Sequence, residues 1–167
     1  MSETVVEKQR IPLRLRNILI VEAFCRCGCL LRPSDMILVS AQALAYRIER
    51  KLGYPVLLEI SSMARCPKHN ADEGGVPDSR HTVKETPEGI VEDGRPDAID
   101  FRVKIFKNGA WEYLDSSFVA EEAIHSGLFG GVGHVRYLRS WTDKAGKVHD
   151  ASLIVHADCR PGRLTIW

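Results

Sequence analysis

The chain has 167 residues, of which 44% are hydrophobic and 27% charged, a length and mix that suit one globular domain able to bury a core without covalent staples. The formal net charge is +1, with no long run of either sign, so there is no basis for nucleic-acid binding or adhesion to a membrane surface. No apolar stretch approaches the roughly 20 residues needed to cross a bilayer, which argues against membrane insertion.

The first segment, MSETVVEKQR, lacks the basic start and apolar core of a secretory signal, so the chain is expected to be cytoplasmic as synthesised. Residues 1–12 read as a flexible arm and residues 13–167 as a single domain. The cysteines are Cys25, Cys27, Cys29, Cys66 and Cys159. An odd count without an export signal favours thiols or metal ligation over a disulfide framework.

Residues 17–24 form a short apolar lead-in. Pro33-Ser34-Asp35 then looks like a helix start with Ser34 as N-cap. Behind it Ile37, Ala41, Leu44, Ile48 and Leu52 recur every three or four residues, which is one helix face. Gly53 stops that helix and Pro55 prevents continuation. Residues 56–60 read as a buried strand.

Residues 61–98 read mostly as loop, punctuated by Pro67, Gly74, Gly75, Pro77, Pro87, Gly89, Gly94 and Pro96. In residues 99–105, Ile99, Phe101, Val103 and Ile105 alternate with Asp100, Arg102 and Lys104, a half-buried strand. Residues 116–128 look helical, started by Ser116 or Ser117. Gly130-Gly131-Val132-Gly133 predicts a turn or a close backbone approach. Residues 153–158 read as another strand. A few strands with two main helices make an α+β domain.

Two of these strands carry candidate chemistry. Asp100 points away from the apolar side of its strand, and His156 and Asp158 share the polar face of theirs, roughly 7 Å apart. His81 lies in the Ser79-Arg80-His81 loop. Two imidazoles and one carboxylate would leave a fourth metal position for water, the form of a catalytic zinc site. Asp97, just before the strand, is the rival of Asp100. Ser79 has no nucleophile elbow around it and is expected to orient the metal site or the substrate. His69, His125, His134 and His149 read as surface or loop residues. Cys25, Cys27 and Cys29, with or without Cys66, are candidates for a second, structural zinc, although Cys-x-Cys-x-Cys matches the usual paired spacing poorly. The alternative is small buried or reactive thiols.

Several segments resemble, in order, those of the zinc D-Ala-D-Ala carboxypeptidase family of phage and bacterial peptidoglycan metallopeptidases. Phe24 with Cys25-Arg26-Cys27-Gly28-Cys29 is similar to its F-x-C-x-C-G lead-in. Ser61-Ser62-Met63-Ala64-Arg65-Cys66-Pro67-Lys68-His69-Asn70 resembles S-G-Y-R-[SC]-P-x-x-N. Gly74-Gly75-Val76-Pro77-Asp78-Ser79-Arg80-His81 resembles G-G-x-x-x-S-x-H, and Ala98-Ile99-Asp100-Phe101 resembles A-x-D-[IF]. Gly131-Val132-Gly133 followed by Val155-His156-Ala157-Asp158 is similar to the closing G-[IV]-G … V-H-x-D. The similarity runs from about residue 20 to the end of the sequence.

The resemblance implies a small antiparallel sheet with flanking helices, the hedgehog/DD-peptidase-like fold. It also implies Zn2+ on His81, Asp100 and His156, with Arg65 at the substrate end of the cleft. The implied activity is hydrolysis of stem or cross-link peptides of peptidoglycan, as a D-Ala-D-Ala carboxypeptidase or an endopeptidase (endolysin), with zinc-activated water as nucleophile. Asp158 is the first candidate for the general base because it shares the face of His156; Asp150 and Glu122 are the others. A phage protein released to the cell wall by another route fits the missing export signal.

The family pattern puts its first His about seven positions before the Asp; here 100 − 81 gives 19. Residues 82–96 are therefore an insertion, read as a polar loop or a flap over the cleft. Met63-Ala64 replaces the usual Gly-Tyr. These departures leave open a catalytically inactive, zinc-stabilised binding or structural module of the same fold.

Overall fold

The computed structural model describes residues 15–29, 31–83, 85–86, 89–90, 94–133, 141–142, 146, 148–149 and 153–167. A short 3₁₀ turn, Ile20–Ala23, leads into α1, Asp35–Leu52. The side chain of Ser34 caps it, accepting from the Ile37 amide, and Gly53 ends it at φ 73°, a conformation costly for residues with a Cβ. Ile37, Ala41, Leu44 and Ile48 are fully buried, as their spacing predicts.

The remaining elements are β1 (Val56–Ser62), α2 (Pro67–Asp72), β2 (Glu85–Thr86), β3 (Gly89–Ile90), β4 (Ala98–Lys107), β5 (Ala110–Tyr113), α3 (Ser116–Ser126), β6 (Gly131–Gly133), β7 (Trp141–Thr142), β8 (Val148–His149), β9 (Val155–Asp158) and β10 (Thr165–Ile166). Six strands form one open sheet in the order β1-β4-β9-β6-β10, with β5 also pairing with β4. β2–β3 and β7–β8 are separate antiparallel pairs.

The main sheet is mixed rather than purely antiparallel. β9 runs antiparallel to β6. The chain reverses after β9 and returns along the far edge of β6, so β10 lies parallel to it.

Cross-strand register sorts the sheet into two faces. Val56, Leu58 and Ile60 of β1 stand opposite Ile105, Val103 and Phe101 of β4. Ile99 and Phe101 stand opposite Ala157 and Val155 of β9. All of these are buried, and α1 and α3 pack over them through Ile37, Leu44, Ile48, Val119 and Ala120. The other face carries Glu59 opposite Arg102 and Asp100 opposite His156. One face thus makes the core and the other is left for polar chemistry.

Three expectations need correction, and a fourth gains an element. The described residues of 61–98 are mostly without regular structure, as expected, but they also hold α2, with Cys66 as N-cap and Pro67 in its first turn, where proline's missing N–H costs nothing. The proline and glycines of the insertion do not exclude strands, since β2 and β3 pair there. Asp115, not Ser116 or Ser117, caps α3, accepting from the Ser117 and Phe118 amides, and Gly127 ends the helix. The strand expected from Leu153 begins at Val155, because Leu153 turns the chain at φ 63°. Residues 1–12, and residues 84, 87–88 and 91–93 of the insertion, lie outside the described residues. Among the described residues no helix is long and apolar enough to cross a membrane.

Glu122 joins the two helices. Its buried carboxylate accepts from Arg47 Nε at 3.0 Å and from Lys51 Nζ. Burial raises its pKa, but the hydrogen bonds from Lys51 and Arg47 outweigh it and hold the group below the usual carboxylate range. The pairing therefore stabilises the fold above the ordinary Glu pKa of about 4.3 and is lost as pH falls through the folded value. Glu122→Gln is expected to cost about 2 kcal/mol near neutral pH. In urea denaturation the deficit should vanish in strong acid; a deficit independent of pH would mean a packing effect.

Candidate metal centre

Three side chains converge on the polar face of the sheet. His81, Asp100 and His156 each offer a ligand atom, and these atoms all lie within 4.8 Å of one another. His81 Nε2 is 3.3 Å from Asp100 Oδ2, and His156 Nδ1 is 2.7 Å from Asp100 Oδ1. Donors around a tetrahedral zinc-sized ion sit roughly 3.4 Å apart, so the spacing suits a metal ion.

Two devices place the three donors. Asp100 and His156 are directly paired residues of β4 and β9. His81 reaches them from the loop after α2. That loop is tied down by the buried Asn70, whose amide donates to the Val76 carbonyl at 2.8 Å, and by the Arg65 amide, which donates to the His81 carbonyl at 2.7 Å. The register of β1 against β4 slips between Ile60 and Ser62. Such a bulge re-aims the chain beside a site, and here it precedes Met63 and Arg65.

The imidazole of His81 is buried, and its Nδ1 lies 2.8 Å from the Met63 carbonyl. A carbonyl only accepts, so Nδ1 carries the hydrogen and Nε2 is the ring atom left to face Asp100 and to ligate a metal ion. His156 is placed in reverse, with Nδ1 toward Asp100 and Nε2 3.5 Å from Asp158 Oδ2.

Burial alone would lower the His156 pKa, but the hydrogen bonds its ring donates to the Asp100 and Asp158 carboxylates dominate and push it up to about 9. Burial would raise Asp100, yet His81 and His156 hold it far below the ordinary carboxylate range. Two carboxylates around two imidazoles favour added positive charge, as a proton or as a metal ion.

Asp158 is fully buried. Arg160 donates to it from Nε at 2.8 Å, from NH2 and from its backbone amide at 3.0 Å, and Arg80 Nε lies 3.7 Å away. Burial raises its pKa, but Arg160 and His156 outweigh that and hold it far down. Both oxygens are thus committed to arginines and to His156.

The other candidates fall as follows. Asp97 is taken by Arg80, whose Nε donates at 2.9 Å, and is not in the metal group. The hydroxyl of Ser79 accepts from the His81 amide at 3.3 Å. Arg65 sits at the edge of the group: its Nε donates to Ser62 Oγ at 2.8 Å, and NH2 is 3.9 Å from Asp100 Oδ2. Glu122 belongs to the helical layer behind the sheet. Asp150 and His134 lie outside the described residues.

Arg160, Arg80, Trp167 and the Met63 carbonyl escaped sequence reasoning. The ring of Trp167 packs 5.4 Å from that of His156, with the Arg160 guanidinium 4.5 Å from the tryptophan ring. Arg160 alone left a signal, standing two residues past Asp158.

The glycines of β6 face this cluster. Gly131 stands opposite Asp158 and Gly133 opposite His156. A Cβ on Gly131 would lie 2.8 Å from Asp158 Oδ1 and 2.7 Å from Arg160 Nε. Gly131→Ala is therefore expected to destabilise the protein by about 1–3 kcal/mol, read as a lower urea midpoint. Unchanged stability would show that the pair relaxes freely.

Searches against known protein families, curated proteins and solved structures return no match to this chain.

Proposed function

We propose that the protein is a zinc-dependent peptidase acting on the stem or cross-link peptides of peptidoglycan, most like a D-Ala-D-Ala carboxypeptidase. The observation that carries the metal part of this reading is the convergence of His81, Asp100 and His156. Two nitrogen donors and one carboxylate suit zinc and leave a fourth position open. The substrate class rests on the ordered resemblance of the five segments.

A zinc ion held there supplies Lewis acidity and lowers the pKa of a coordinated water toward about 7. The residues around it divide the remaining work. Met63 fixes the tautomer of His81, and Asp158 orients His156 through Nε2. Asp158 thus changes role in this proposal from general base to positioning residue, because a carboxylate bound by Arg160 and held far below neutral takes protons poorly. Arg65 would bind a free peptide carboxylate by a forked contact, and Ser79 holds the His81 backbone.

Arg65→Ala is expected to lower kcat/KM about 10–100-fold on free-ended peptides and much less on amidated ones. Equal losses on both would give Arg65 a structural role. Mass spectrometry of purified muropeptides incubated with zinc-loaded protein tests the activity itself. Loss of one alanine marks the carboxypeptidase and conversion of dimers to monomers the endopeptidase. No change would favour a zinc-stabilised binding module. The commitment of Asp158 to arginines favours this second reading, since among the described residues the carboxylates touching the three donors are Asp100 and Asp158.

A further inference from the structure

Three cysteines fall within five residues, and a fourth joins them from far along the chain. After the 3₁₀ turn the chain bends through residues 26–29, with Gly28 at φ 85°. The Cys25 amide closes the bend by donating to the Leu31 carbonyl at 2.9 Å. Cys66, at the start of α2, meets this bend: its amide lies 3.3 Å from Cys25 Sγ. The sulfurs of Cys25, Cys27, Cys29 and Cys66 all lie within 4.8 Å of one another.

The separations identify the chemistry. Cys25 Sγ is 3.3 Å from Cys27 Sγ, and Cys27 Sγ is 3.5 Å from Cys66 Sγ. A disulfide needs about 2.0 Å, and all five cysteines are free thiols. Sulfurs about 2.3 Å from a tetrahedral zinc lie roughly 3.8 Å apart. The spacing is thus near that of a four-thiolate shell. Cys25 is buried, Cys66 half-buried, and Cys27 and Cys29 exposed, so the shell is open to loading from solvent.

We propose that Cys25, Cys27, Cys29 and Cys66 hold a structural zinc ion, distinct from the centre at His81, Asp100 and His156. Four thiols bind it as thiolates, releasing their protons to solvent with no change of oxidation state. Their charge is met by N–H donors already aimed at sulfur: the Cys66 amide toward Cys25, and the His69 amide toward Cys66 at 3.4 Å. His69 Nδ1 lies 3.3 Å from Cys25 Sγ, suited to donate to a thiolate.

The consequence is mechanical. Cys66 follows Arg65, whose amide bonds the His81 carbonyl. The ion therefore clamps the lead-in to the segment that sets both Arg65 and the His81 loop. This assignment does not depend on the peptidase reading.

The test separates the two metals. Elemental analysis of wild type should find two zinc ions per chain, and of the His81→Ala/His156→Ala variant, one. Cobalt loaded into that variant should give the intense sulfur-to-cobalt absorption of a tetrahedral thiolate site, lost on adding Cys66→Ser. Because Cys66→Ser can disturb folding, native wild type is also alkylated with and without chelator. Protection of the four cysteines only without chelator is the expected result. A metal-free double variant, a disulfide in the cluster, bound iron in place of zinc, or alkylation unaffected by chelator would each overturn the assignment.

Discussion

Asp100→Ala should abolish metal binding at the His81–Asp100–His156 centre and, with the proposed peptidase activity located there, lower peptide hydrolysis by on the order of 10³-fold or more, since Lewis-acid stabilisation is worth several kcal/mol. Asp100 touches both imidazoles, at 2.7 Å and 3.3 Å, so its loss removes one donor and the charge that balances the other two. If the cysteine cluster keeps its own ion, total zinc should fall from two per chain to one rather than to none. The measurement is zinc content of the dialysed variant beside its turnover of muropeptides. Full zinc content with full activity would remove this centre from the reading altogether.

The second large effect is expected at Arg160. Arg160→Met removes the guanidinium from the fully buried Asp158 carboxylate and leaves it the backbone amide of residue 160 at 3.0 Å, Arg80 at 3.7 Å and His156 at 3.5 Å. Breaking a buried pair from one side costs about 3–5 kcal/mol, because the remaining charge stays desolvated. If Asp158 orients His156, the same variant should bind zinc about 10–100-fold more weakly, the usual cost of losing the support behind a ligand. Asp158→Asn separates positioning from base catalysis. A positioning residue predicts weakened zinc binding with turnover largely recovered at saturating zinc. A general base predicts normal zinc binding with kcat down roughly 10²–10⁴-fold, and that result would restore the base role to Asp158.

Strand alternation was the most informative feature of the sequence. It placed Ile99, Phe101, Val103 and Ile105 inward and Asp100 outward, and the burial of β4 alternates in that way from residue 99 to residue 105. Together with the Ala98-Ile99-Asp100-Phe101 resemblance it favours Asp100 over Asp97, and Asp97 is paired with Arg80. The spacing of Ile37, Ala41, Leu44 and Ile48 defined α1 equally well, because a helix face buried on a sheet requires that period. By contrast, α2 is hidden in the sequence: six residues are too few to show a period, and the proline at its start, Pro67, serves loops as readily as helix starts. The clamp of Arg160 and Arg80 on Asp158 was hidden too, since arginines are usually surface residues and nothing local marks the buried carboxylate they meet.

The sequence by itself determined which side of each element faces the core, because burial of apolar area selects faces and leaves a periodic trace in one chain segment. It thereby put Asp100 and His156 on polar faces and confined their chemistry to the far side of the sheet from the helices. Only the tertiary structure decided which of those residues meet. The pairing of β4 with β9 sets Asp100 beside His156, and the loop held by Asn70 and Arg65 carries His81 to them. The bend at residues 26–29 reaches Cys66 in the same way. Register and loop closure are set by hydrogen bonds between segments distant in sequence, and these leave no period to read in any one of them.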